Sequence, residues 1–175
     1  ILEAHWLFGL SADRIRVLIH PQSVIHSMVE FVDGSVMAQL GVPDMRVPIL
    51  YCLGHPDRLA FSGFEPLDLR RIASLSFLPV DPARYPAVPL AYEVLARGGD
   101  AGGRFNAADE VATAAFLAGR IPFQAITAMV ERVVQDAPSR PIETLADALV
   151  ADAHARAHTT RLLPDFATVA GGPNA

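Results

Sequence analysis

Hydrophobic positions recur with a period of two in the first part of the chain and with a helical period in the last part. A proline-rich stretch separates the two regimes. Ile1 to Phe8 is apolar enough to be the last turns of a helix, and Gly9 stops it. Arg14 to Ile19 alternates and then turns apolar, which predicts a strand that Pro21 ends, because proline donates nothing to a ladder. From Val24 to Leu40 the pattern predicts two strands about Asp33-Gly34, a pair that tolerates the positive φ of a tight hairpin turn. Alternation puts Val24, His26, Met28 and Glu30 on one face and Ile25, Ser27, Val29 and Phe31 on the other. The second face is the more apolar, so His26 and Glu30 are expected to look toward something polar.

The run Pro43–Pro48 begins a helix expected to carry Ile49, Leu50 and Leu53 inward and to end near Gly54. Pro56, Pro66, Pro79, Pro82, Pro86 and Pro89 then exclude long helices, predicting a linker or extended arm with a short strand at Leu75-Ser76-Phe77. Beyond it, Leu90, Ala91, Val94 and Leu95 form one helical stripe, closed by Gly98-Gly99. Asn106 with Asp109 reads as a capping box opening a helix that runs to Ala118 and stops at Gly119. Pro122 starts a third helix with Ile126, Met129, Val130, Val133 and Val134 on one face. Thr144 with Asp147 repeats the capping pattern before a run that continues to Leu163. The fold class is therefore α+β, a β-hairpin region followed by a small bundle of four helices, with a Gly- and Pro-rich tail over 164–175 expected to be disordered.

Composition narrows the function classes. At 51% hydrophobic and 19% charged residues, the chain of 175 residues has material for a core and is not expected to be extensively disordered. A net charge of −5 argues against a nucleic-acid binder, whose affinity rests on clustered cations. All 14 basic residues are Arg, so neither a Schiff base nor a lysine phosphate clamp can come from this polypeptide. The single cysteine, Cys52, cannot form an internal disulfide; it lies in an apolar run and is read as a buried small hydrophobe in a reducing, cytoplasmic setting. No signal peptide or membrane span is legible.

Candidate chemistry concentrates around the hairpin. His5, His20 and His26 could be metal ligands, but six residues of extended chain at about 3.3 Å each hold the last two far apart, and no carboxylate falls at a familiar ligand spacing. His26 at the edge of an active site, with Ser23 and Ser27 to fix its tautomer or contact an anion, is the stronger reading. The run Gly98–Gly103 before a helix invites a phosphate loop, but no strand precedes it and no Lys-Ser or Lys-Thr follows, so it reads as a flexible connection. Glu30 and Asp33 could pair as acid and base, but the turn already requires Asp33.

Ile19 to Gly41, with its block His20-Pro21-Gln22-Ser23-Val24-Ile25-His26-Ser27, then Pro43-Asp44-Met45-Arg46, Pro66-Leu67-Asp68-Leu69, Tyr85-Pro86 and Asn106-Ala107-Ala108, resembles the 1-deoxy-D-xylulose 5-phosphate reductoisomerase family nearly to Leu163. Asp109 departs from the Asn usual there. The resemblance implies an NADPH-dependent oxidoreductase of non-mevalonate isoprenoid biosynthesis. Such an enzyme rearranges and reduces its sugar phosphate substrate to 2-C-methyl-D-erythritol 4-phosphate, with Mg²⁺ or Mn²⁺ chelating the substrate's oxygens. By that resemblance His26 lines the active-site wall, Met45 and Pro43 stand near the nicotinamide ring, and no metal ligand or substrate-binding residue falls within this sequence.

The same resemblance divides the chain. Residues 1–54 become the C-terminal half of a catalytic and dimerisation domain, 55–85 a linker arm, 86–163 the helical bundle and 164–175 the tail. The expectation is a fragment of a cytoplasmic homodimer, inactive alone, with no nucleic-acid or membrane partner. Two alternatives stay open: a stand-alone dimerisation or structural module that uses the hairpin edge, and a small metal hydrolase built on His5, His20 and His26.

Overall fold

The two predicted strands form, and the turn between them differs from the expected one. The computed structural model describes residues 1–60, 62–63 and 65–167. Strands β1 (Ile25–Glu30) and β2 (Val36–Leu40) pair antiparallel, with Met28 opposite Ala38 and Glu30 opposite Val36. Phe31 N donates to Ser35 O (2.9 Å) and Gly34 N to Phe31 O (3.0 Å), so three residues, Val32 to Gly34, make the loop. Gly34 alone in that loop has a positive φ, 82°. Asp33 is not left-handed because its carboxylate accepts from Ser35 N (2.9 Å) and Ser35 Oγ (2.6 Å), a side-chain turn that fixes the ordinary hand before a left-handed glycine.

At the other end of β1, Ile25 pairs with Leu40 and Ser27 with Gln39, so His26 is the extra residue of a bulge. The bulge breaks the strict alternation read from the sequence. Val24 is buried, while its expected face-mates His26 and Met28 are exposed.

The strand expected over Arg14–Ile19 is reduced to a single bridge between Ile19 and Leu78, closed by two 2.9 Å backbone bonds. The strand expected at Leu75-Ser76-Phe77 shrinks with it. The next hydrogen-bonded pair would set Pro21 against Ser76, and Pro21 has no N–H to give. The Gln22 side chain takes its place: its Oε1 accepts from Ser76 N and its Nε2 donates to Ser76 Oγ, both at 3.1 Å.

Helix α1 spans Leu2–Phe8 and ends at Gly9 in the left-handed conformation, as its pattern predicts. Helix α2 (Arg46–Gly54) does not carry its apolar residues inward, since Ile49 and Leu53 are exposed and Leu50 is half-buried. Val47, Ile49, Leu50, Tyr51 and Leu53 spread around the whole helix instead of forming one stripe, so no single face can bury them. Cys52, expected to be buried, is exposed on this helix for the same reason.

Four helices follow: α3 (Ala87–Arg97), α4 (Ala101–Leu117), α5 (Phe123–Gln135) and α6 (Leu145–Leu162). The stripe on α3 is buried at Leu90, Ala91 and Val94, and that on α5 at Met129, Val130, Val133 and Val134. Against them α4 presents a face of small side chains, with Ala107, Ala108, Ala112 and Ala115 fully buried. Small residues let the helix axes approach, so the branched side chains of α5 fill the space between. Each fully buried valine or methionine contributes about 1.5–3 kcal/mol of apolar transfer.

The capping box of Thr144 and Asp147 opens α6 as predicted. The box at Asn106 does not form. Helix α4 begins five residues earlier, and Asn106 lies inside it donating to Glu110 Oε1 at 2.9 Å. A buried arginine sets that earlier start. Arg104 donates to the carbonyls of Ala137 (2.9 Å), Val134 (3.1 Å) and Val133, oxygens that the end of α5 leaves without amide partners. One turn earlier, Asp100 Oδ1 accepts from Arg140 N (3.0 Å) and Ser139 Oγ (3.1 Å). The glycine run expected to be a flexible connection is thereby stapled into the first turn of α4. Gly99, at φ 52°, passes so close to Arg140 that a Cβ there would sit 2.2 Å from its carbonyl oxygen.

The contacts divide the chain into two compact units, Val17–Val80 and Ile1–Arg16 together with the chain from Asp81. In the second unit Leu2 packs on the bundle core and Tyr92 donates its hydroxyl hydrogen to Ile15 O at 2.8 Å. Of the tail expected to be disordered, Pro164–Phe166 belong to a 3₁₀ turn, and residues 168–175 lie outside the described ones. Among the described residues, no helix is long and apolar enough to cross a membrane.

Candidate active site

The bulge in β1 turns the His26 ring back along the chain. Its Nε2 donates to Ser23 O at 3.1 Å, and a carbonyl can only accept, so this nitrogen carries the proton. Ser23 reaches that position through a left-handed backbone, φ 49°, uncommon for a residue other than glycine. The other nitrogen, Nδ1, faces Gln39 Oε1 at 3.2 Å, and the Gln39 amide is itself tied to Leu40 O at 3.1 Å.

Gly41 closes the back of this arrangement. A Cβ there would lie 3.4 Å from Gln39 Nε2 and 3.6 Å from His26 Cε1, ordinary packing distances, so the ring and the amide lie close over the chain at Gly41. The backbone of Ser23, not its hydroxyl, fixes His26, and no hydrogen bond of Ser27 to the ring contributes. Gln39 and the left-handed Ser23 are neighbours of the ring that sequence reasoning missed. The bulge brings Gln39 beside His26, and no local signal in the sequence announced it.

Past Gly41 the chain turns into α2 through Pro43, Asp44 and Met45. Asp44 accepts from Arg46 N (2.9 Å) while its two oxygens face the Arg46 side chain in a bidentate pair, Nη2 at 2.5 Å and Nε at 2.9 Å. The guanidinium first, and the amide second, pull the half-buried Asp44 carboxyl down to about 2. This turn holds Pro43 and Met45 exposed on either side of Asp44, with Met45 at 72% of its full exposure. His26 and Gly41 therefore meet at the start of a connection whose middle displays Pro43 and Met45.

The three histidines weighed as metal ligands are occupied separately. His5 Nδ1 donates to Leu10 O at 2.6 Å. His20 Nδ1 donates to Ser76 O at 2.8 Å, its ring stacks on Phe77, and its Nε2 is buried without a partner. Among the described residues, no three His, Cys, Asp or Glu side chains gather where a metal ion could be held. The groups present can orient a ring, display an apolar platform and hold one carboxylate charged.

The family described as DXP reductoisomerase C-terminal domain matches residues 40–158. The 1-deoxy-D-xylulose 5-phosphate reductoisomerase of Burkholderia multivorans is 56% identical over 156 residues, covering 89% of this chain and 39% of the relative. That of Nitrosomonas eutropha is 51% identical over 156 residues, again 89% of this chain and 38% of the relative. Among solved structures, the reductoisomerase of Zymomonas mobilis in complex with NADPH superposes with a TM-score of 0.83 at 40% identity, covering 93% of this chain and 43% of that one. A DOX-P reductoisomerase in complex with NADPH, fosmidomycin and magnesium gives a TM-score of 0.86 at 37% identity, over 93% of this chain and 42% of that one. The chain spans about two fifths of the length of the curated relatives it matches.

Proposed function

The chain belongs to the DXP reductoisomerase C-terminal domain family, and from that premise we propose that it forms part of an NADPH-dependent reductoisomerase. The reaction is the conversion of 1-deoxy-D-xylulose 5-phosphate to 2-C-methyl-D-erythritol 4-phosphate, with Mg²⁺ or Mn²⁺ as the divalent ion. The observation that carries this reading is the likeness, along nearly the whole chain, to enzymes crystallised with NADPH and magnesium.

Within that reaction His26 serves as a positioned wall of the substrate site. Its ring is held at Nε2 by the Ser23 carbonyl and flanked by the Gln39 amide, so it stays in place as substrate enters. Pro43 and Met45 offer exposed apolar surface of the kind that packs against a nicotinamide ring. The metal is a different matter. No cluster among the described residues fits a divalent ion, and in this reading the metal and phosphate contacts come from the part of the enzyme outside this chain.

The exposed apolar residues of the hairpin, Val29, Val36 and Met37 among them, support pairing with a second copy in a cytoplasmic homodimer. The test is turnover. The full-length protein consumes NADPH in the presence of the sugar phosphate and Mg²⁺, and the 175-residue chain alone does not. In the full-length enzyme His26→Ala lowers kcat/KM by about tenfold, roughly 1.4 kcal/mol of transition-state stabilisation. Turnover by the chain alone, or none by the full-length protein, overturns the proposal.

A further inference from the structure

Between α6 and the segment after α5 lies a cavity of about 560 Å³, within the size range of small-ligand pockets. Its apolar lining includes Val133, Ile142, Val150 and Ala151, and its polar lining includes Arg140 and Arg161. These two arginines differ from most others of the bundle. Arg97 pairs with Glu93 at 2.7 Å, Arg132 with Asp136 at 2.7 Å, and Arg156 with both Asp152 and Glu110 at 2.7 Å. Buried Arg104 spends its donors on the α5 carbonyls. Arg140 and Arg161 are exposed, and among the described residues their guanidinium groups meet no acceptor.

The carboxylates nearby are already engaged. Asp100 holds Ser139 and the Arg140 amide, Asp147 holds Thr144 N at 2.8 Å and Oγ1 at 2.8 Å, and Asp136 is shared by Arg132 and His158, the latter at 3.1 Å. A chain of net charge −5 thus places two cations without an ion-pair partner beside an apolar hollow, where the lining carboxylates Asp100 and Asp147 are turned to backbone and hydroxyl donors.

We propose that this cavity binds a small amphipathic organic anion. Its carboxylate or phosphate head is held by Arg140 and Arg161, whose planar donor forks suit either group, and its apolar body lies on Val150 and Ala151. The proposal rests on side chains of the bundle alone and stands or falls independently of the reductoisomerase reading.

Hexyl phosphate is the probe, titrated calorimetrically into the full chain, with hexanoate, 1-hexanol and inorganic phosphate in parallel. The expected result is saturable one-to-one binding of hexyl phosphate, hexanoate or both, with 1-hexanol and inorganic phosphate each at least about tenfold weaker, because each lacks one half of the match. Arg140→Gln combined with Arg161→Gln weakens the bound anion by about tenfold or more while the circular dichroism and melting point stay unchanged, since neither side chain holds the fold. Ala151→Leu, which fills the apolar floor, weakens it independently. Failure of both anions to saturate by about 1 mM, equal binding of 1-hexanol, or an affinity indifferent to the double arginine change overturns the proposal.

Discussion

The helical unit and the hairpin unit treat the same kind of side chain in opposite ways. Every buried apolar residue among the described ones except Val24 lies in the unit that holds α3 to α6. The unit Val17–Val80 leaves Val29, Val32, Val36, Met37, Ile49 and Leu53 exposed. Geometry, more than composition, makes the difference. Helices of period 3.6 gather their apolar positions into stripes, and α4 offers a face of alanines on which the α5 stripe can close. Two strands cannot close on themselves. A lone hairpin is marginal in water, and its apolar faces need a further sheet or another chain to cover them. The bundle is thus a body that completes its own core, and the hairpin unit leaves its apolar side chains uncovered. The proposed site residues His26, Pro43 and Met45 lie in that unit.

The largest test of this contrast is Arg104→Met. It removes the donors that satisfy the end of α5 and leaves Asp100 without its buried cationic neighbour, at a cost of about 3–5 kcal/mol. Hydrogen exchange followed by NMR should show the amides of α3 to α6 losing protection together while those of β1 and β2 keep their rates. Equal losses in both units would break the contrast, because they would make one cooperative body of the two. Gly99→Ala comes next, at about 2–4 kcal/mol in a denaturant midpoint, from the left-handed backbone and from a Cβ driven onto the Arg140 carbonyl. Thr144→Ala sharpens the same point at smaller scale. It removes one half of the capping box of α6 and should cost about 1 kcal/mol, read from the same bundle transition.

What could be read from the sequence follows the same division. The stripes on α3 and α5, the capping box at Thr144 and the stops at Gly9, Gly98 and Gly119 are local signals, and local hydrogen bonds or periodicity decide them. The start of α4 was misplaced because Arg104 and Asp100 act on residues about thirty to forty positions away, and no window along the chain shows that. The strand at Leu75-Ser76-Phe77 does not extend because Pro21 stands opposite Ser76, where a donor is needed. At the candidate site, the family resemblance marked His26, Pro43 and Met45. The features around His26 (the bulge, the left-handed Ser23 whose carbonyl holds the ring, and Gln39 beside it) arise from strand register, which a one-residue shift rewrites.

The smallest effect concerns the turn that displays Pro43 and Met45, and it asks whether the hairpin unit is ordered locally even where it is uncovered. Asp44 is bonded to the Arg46 guanidinium and to the Arg46 amide, which together hold its carboxyl at about 2 in the folded chain against an ordinary value of 3.8. A folded value below the unfolded one means that the carboxylate favours the closed turn fully above about pH 3.8. That contribution fades as pH falls through about 2. A carbon-detected NMR titration should therefore give Asp44 a midpoint near 2, with the Arg46 amide shift following the same curve. Arg46→Gln leaves only the amide bond and should move the midpoint part of the way back toward 3.8. A midpoint near 3.8 in the unaltered chain would mean that the pair does not persist in solution. The display of Pro43 and Met45 would then depend on whatever covers the hairpin unit, and the unit would be less preformed than its hydrogen bonds indicate.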